Sequence, residues 1–133
     1  MRVKTQNDLV VVTKAKDLCE YVMTITQKCS KEHRYTYVSR LQNLAMDVLE
    51  NIFRANAVYV ENGPEKREKC RQRLDFQHEA LLGLRMLAYF AELGAKQKVI
   101  LFKQYEQIAV QSTNCMNLLG AWINSDKKRF GAA

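Results

Sequence analysis

The sequence predicts an all-α protein, an antiparallel up-down-up-down four-helix bundle, and three observations predict it. Apolar residues recur at three- and four-residue spacing through four long segments. The connections between those segments are short, which favours antiparallel neighbours. No stretch alternates apolar and polar residues with the period of a strand, and no internal repeat survives counting. A single domain over 1–133 fits a chain of 133 residues with 47% apolar content, enough for a core of its own.

The first helix is expected over about residues 8–28, where Ala15, Leu18, Cys19, Val22, Met23 and Thr26 make one stripe. After a short connection the second covers about 32–60, with Val38, Leu41, Ala45, Val48, Leu49, Ile52, Ala55 and Tyr59 on its inner face. Asn62-Gly63-Pro64 then interrupts the chain. Glycine suits the left-handed residue past a helix end, and proline suits the first position of the next helix. The third helix is expected over 64–93, with Gly94 as its C-terminal cap. A basic linker, Lys96 to Lys98, leads to a fourth helix over about 101–124, carrying Tyr105, Ile108, Ala109, Cys115, Met116, Leu119, Trp122 and Ile123, and a basic tail follows at 125–133. Gly120 would let another backbone approach while the Trp122 indole fills a hole, although plain bundle packing is the favoured reading there.

The segment Ala80–Leu93, ALLGLRMLAYFAEL, is too apolar for a helix that packs only against its own bundle. At about 100° per residue from Leu81, Leu84, Leu87, Ala88 and Ala91 fall at roughly 240–340°, and Leu82, Met86, Tyr89, Phe90 and Leu93 at roughly 80–180°. A bundle helix normally hides one stripe, so two separated apolar sectors call for burial from two sides. A second copy of the chain is the expected partner. The alternative is that this is the central helix of a monomer.

The formal charge is +7, which makes nucleic acid or an acidic protein the default electrostatic partner. The excess is concentrated at Lys66, Arg67, Lys69, Arg71 and Arg73, and in the tail at Lys127, Lys128 and Arg129. The first group is interleaved with Glu65, Glu68 and Asp75, so it reads equally as a solvated helix end or as a phosphate-binding patch. Arg85, the one cation inside the apolar segment, needs a carboxylate, a carbonyl or a phosphate if it is desolvated. Arg40 and Arg54 lie on nearly one azimuth of the second helix and would extend a stripe with Arg85 if the helices adjoin.

Several function classes find no support. His33 and His78 have no Cys or carboxylate at the spacing of a zinc set or a nucleophile–base pair, and the dispersed glycines form no phosphate loop. No enzyme, metal or cofactor is expected. Cys19, Cys29, Cys70 and Cys115 are scattered, and reduced thiols are the expected state. With no apolar run of membrane-spanning length and no leader-like h-region at the N-terminus, a cytoplasmic protein without a membrane partner is expected.

Four blocks carry a family resemblance: His33-Arg34-Tyr35-Thr36-Tyr37-Val38-Ser39-Arg40-Leu41-Gln42-Asn43-Leu44-Ala45, Leu84-Arg85-Met86-Leu87, Phe102-Lys103-Gln104-Tyr105-Glu106, and Leu118-Leu119-Gly120-Ala121-Trp122-Ile123. In order and spacing they resemble the Avd proteins, accessory variability determinants of diversity-generating retroelements. These sit within the four-helix-bundle family that includes proteins encoded in ribosomal RNA intervening sequences. The resemblance covers about residues 13–125. It implies a basic bundle that assembles as a barrel-like homopentamer, binds RNA and DNA, contacts the element's reverse transcriptase and assists mutagenic retrohoming, without a catalytic site of its own. Arg40 and Arg85 match two arginines of the pattern, with Arg54 and the run Lys66–Arg73 as further candidates. The chain departs from the pattern at Cys29-Ser30, where Phe-Pro is common, at Leu101, where Ser or Thr would cap the fourth helix, and at Tyr89, where some members carry a second arginine. Ser30 is a candidate cap in its own right.

The rival expectation is a homo-oligomeric scaffold of the intervening-sequence type, whose positive surface serves solubility or an acidic protein partner. Either way, Leu82, Met86, Tyr89, Phe90 and Leu93 are the expected oligomer interface.

Overall fold

The computed structural model describes the backbone of residues 6–131 and the side chains of residues 10–131; the first five residues and the last two of the expected tail, Ala132 and Ala133, lie outside the described residues. Among the described residues all regular structure is helical. Four long helices, α1 (Gln6–Thr26), α2 (Ser39–Ala57), α3 (Lys66–Lys96) and α4 (Phe102–Phe130), form a four-helix bundle. α1 packs on α2 and α4, and α3 packs on α2 and α4.

The stripes read from the sequence meet in one core. It contains Val11, Ala15, Leu18 and Val22 of α1, Leu41, Ala45, Val48 and Ile52 of α2, Ala80, Leu84, Leu87 and Ala91 of α3, and Ile108, Cys115, Leu119 and Trp122 of α4. Each large aliphatic side chain buried this way contributes about 1.5–3 kcal/mol. α2 and α3 approach closely at Gly83, where a Cβ would lie 2.8 Å from Val48 Cγ2. Gly120, where close approach of another backbone was the alternative to plain bundle packing, has nothing within 4 Å of its Cβ site.

The helix ends differ from expectation, each for a physical reason. Before α2 the chain winds through a 3₁₀ turn, Lys31–His33, and a π-helical turn, Arg34–Val38. Ser30 precedes them, but its side chain makes no capping bond. α2 stops at Ala57, three residues before the expected end, and Val58 is extended. Tyr59 therefore leaves the inner face and is exposed. The stop is fixed from outside the helix, because the Arg73 guanidinium donates to the carbonyls of Ala55 and Val58, both at 3.3 Å. Gly63 takes φ +152° in the connection, a conformation L residues rarely adopt.

Gly94 does not cap α3. It is helical and buried, and the left-handed residue is Lys98 at φ +64°. Val99 N–H donates to the Gly94 carbonyl at 2.8 Å and Lys98 N–H to the Ala95 carbonyl at 3.0 Å, the paired bonds of a Schellman motif. Burial of Val99 and Ile100 immediately afterwards offsets the roughly 1–2 kcal/mol that a non-glycine residue loses there. At the start of α4, the Gln104 side chain accepts from Leu101 N–H at 2.9 Å; leucine has no acceptor to return the bond. The expected tail is helix as far as Phe130.

Candidate nucleic-acid interface

α3 presents its two apolar sectors to different surroundings. Leu84, Leu87 and Ala91 are fully buried in the bundle, whereas Leu82 and Tyr89 are 51% and 58% exposed and Met86, Phe90 and Leu93 are half-buried. The second sector thus forms an apolar ridge along the outside of the bundle.

Arg40, near the start of α2, lies on the α2 side of that ridge, with its guanidinium carbon 5.6 Å from the Phe90 ring centroid. Arg85 is exposed on α3, about one quarter of a turn away from the ridge centre by helical geometry. Among the described residues neither arginine pairs with a carboxylate. Arg40 and Arg54 both flank the seam between α2 and α3, but no hydrogen bond, ion pair or ring contact among the described residues joins Arg85 to either.

The basic run at the start of α3 divides. Arg71 holds Glu68 with two bonds of 2.8 and 2.7 Å, and this guanidinium pulls the Glu68 carboxyl below its usual range while the carboxylate raises Arg71. Arg54 pairs with Glu50 at 2.9 Å. Arg67 is exposed, Lys66 and Lys69 are half-exposed, and Lys69 shares a shallow depression of about 490 Å³ with Arg54, Glu61 and Glu65.

Arg73 is a correction to the expected phosphate-binding set, because it is 1% exposed and belongs to the interior. Its Nε donates to Asp126 Oδ2 at 2.6 Å and its Nη2 to Oδ1 at 3.2 Å. Gln77 Nε2 and Arg129 Nη2 donate to the same carboxylate at 2.8 and 3.0 Å. The guanidinium also stacks near Trp122 and Phe130, at 5.0 and 5.6 Å from the ring centroids. A buried arginine survives only with such a complete set of partners. The same bonds hold the last two turns of α4 against α3, so residues 125–130 are helical.

A cleft of about 520 Å³ opens beside Arg40, between the π-helical turn and α3. Tyr35, Tyr37, Ser39 and Asn43 line it together with Arg40, Phe90 and Leu93. Tyr35 is 87% exposed. These residues were legible only as part of the family-like block around Arg40; the signal for a site was two tyrosines interleaved with cations just before a helix.

The thiols of Cys19, Cys29, Cys70 and Cys115 are unpaired. Burial pushes the Cys115 thiol up to about 11 and raises Cys19 and Cys29. Among the described residues no three His, Cys, Asp or Glu side chains gather as a metal-binding group, and no helix is long and apolar enough to cross a membrane.

The class defined by this architecture is the all-α four-helix bundle, and known structures include a close match to it. A crystal structure of a protein of unknown function from the S23 ribosomal protein family of Bacteroides thetaiotaomicron superposes with a TM-score of 0.74 at 19% identity, covering 90% of this chain and 99% of that one. At that identity the likeness is one of fold. No family model matches the sequence, and no curated protein does.

Proposed function

We propose that this chain is a non-catalytic, cytoplasmic nucleic-acid-binding accessory protein. In this reading it is an up-down-up-down bundle that self-associates through the outer ridge of α3 and works with a retroelement reverse transcriptase in mutagenic retrohoming. The observation that carries the reading is the exposed apolar ridge of α3, with Arg40 and Arg85 beside it, neither paired with a carboxylate among the described residues. Self-association would repeat both arginines around an axis, so that weak phosphate contacts add through effective concentration. The Avd-like blocks supply the reverse transcriptase, the RNA and DNA partners and the pentamer. The up-down order draws on contacts at opposite ends of adjacent helices: Thr26 with Gln42, Arg73 with Ala55 and Asp126, and Glu92 with Tyr105.

Light scattering tests the assembly. Wild type is expected well above the 15.4 kDa of one chain, and Leu82→Glu with Tyr89→Glu at or near it. Binding of structured RNA and duplex DNA should fall steeply with salt, with a shallower slope for Arg40→Ala/Arg85→Ala. A monomeric wild type, or affinity indifferent to salt and to both arginines, refutes the proposal.

A second reading, a homo-oligomeric scaffold with an acidic protein partner, is favoured by the pairing of Arg54, Arg71 and Arg73 with carboxylates of their own chain. It predicts assembly without salt-dependent nucleic-acid binding.

A further inference from the structure

We infer that the cleft beside Arg40 is a binding site for one unstacked nucleotide, with the base on Tyr35 and the phosphate on Arg40. This deepens the nucleic-acid reading above and rests on it. None of the eight side chains lining the cleft is acidic, and the only charge among them is Arg40. That lining suits an anion. At about 520 Å³ the cleft is within the size range of small-ligand sites.

Of the three aromatic rings in the lining, Tyr35, Tyr37 and Phe90, the one left open favours an anion that carries a flat, polarisable body. Tyr35 offers most of its surface to solvent, as a stacking platform does before its base arrives. Tyr37 is turned inward and packs edge-on to His33, with ring centroids 6.0 Å apart, so Tyr35 is the ring left for stacking. Arg40 stands over the Phe90 ring with no carboxylate among the described residues to neutralise it, leaving its guanidinium edge for a phosphate.

The Asn43 amide lies one turn further along α2 and is bonded only weakly, to Ser39 Oγ at 3.4 Å. An amide of this kind pairs with the donor and acceptor edge of a base. The platform itself rests on a π-helical turn, a geometry found frequently at functional sites. A nucleotide inside a duplex has no free base face, so the occupant is a nucleotide of a single-stranded RNA or DNA segment, or a free mononucleotide.

Fluorescence polarisation with an unstructured oligonucleotide and with a hairpin duplex of equal phosphate number tests the inference, using wild type, Tyr35→Ala, Tyr35→Phe and Asn43→Ala, each checked for native helicity. Tyr35→Ala is expected to weaken single-strand binding by about tenfold, within the range one stacked base contributes, and to leave the hairpin affinity within about twofold. Tyr35→Phe should keep single-strand affinity, and Asn43→Ala should alter the preference among bases. Competition with AMP separates the two sources: displacement of the strand at matched nucleotide concentration assigns the cleft to a free nucleotide, and resistance assigns it to the strand. Wild type that binds both nucleic acids, with Tyr35→Ala and Asn43→Ala unchanged or weakened equally on both, overturns the cleft alone. Wild type that binds neither overturns the cleft together with the nucleic-acid reading.

Discussion

Replacing Asp126 with alanine should be among the most destabilising single changes in this protein. The carboxylate accepts two bonds from Arg73, one from Gln77 and one from Arg129, at 2.6–3.2 Å. Without it the Arg73 guanidinium loses the Asp126 carboxylate while remaining almost wholly out of water, and the carbonyls of Ala55 and Val58 and the faces of two rings carry no charge to replace it. Breaking a buried pair by removing one partner costs about 3–5 kcal/mol. A domain of this length is stable by roughly 7–20 kcal/mol, so the loss is a large fraction of the whole. Urea unfolding followed by far-UV circular dichroism measures it. The double variant Arg73→Met/Asp126→Leu removes the stranded charge and should recover most of the loss, apart from the capping bonds to α2. A cost below about 1 kcal/mol for Asp126→Ala, or a double variant no better than the single, would refute the reasoning. The folded double variant should also bind nucleic acid like wild type, since Arg73 does not reach the surface; lost affinity would return Arg73 to the interface.

Three further outcomes follow from the core. Gly83→Ala should destabilise the fold by about 1–3 kcal/mol in thermal or urea melts, because the new methyl meets the stiff Val48 side chain, and Val48→Ala should relieve it. Cys115 makes stability fall in alkali. Below pH 9 the thiol is protonated in both states and its contribution is whole, but between the ordinary 9.0 and the folded value of about 11 only the unfolded chain ionises, giving a loss of about 1.4 kcal/mol per pH unit that Cys115→Ala should remove from the profile. Ser112→Ala should be neutral or stabilising by about 1 kcal/mol in the same melts, since the buried hydroxyl has no hydrogen-bond partner among the described residues.

All four helices and most of the core were legible, because helical periodicity is local information. The ends were not, because distant residues set them: Arg73 stops α2, Asp126 prolongs α4, and burial of Val99 and Ile100 holds Lys98 in the place expected of Gly94. At the candidate interface, the ridge residues follow from the angular spread of α3, and the exposure of Leu82 and Tyr89 fits the two-sector reading. Arg73 was misread by its charge. Its position continues the buried stripe of Gln77, Ala80, Leu84, Leu87 and Ala91 backwards at the same spacing, and that periodicity outweighs residue type. The cleft was hidden because a π-helical turn follows no simple sequence period.

That wider turn has an evolutionary corollary. Removing one position between Arg34 and Val38 would restore ordinary winding and swing everything upstream by about 100°. Tyr35 would then leave its place in the cleft beside Arg40 although no side chain had been exchanged. Gain or loss of this feature among descendants of the gene is accordingly a matter of codon insertion and deletion, and alignments scored on substitutions alone would pass over it.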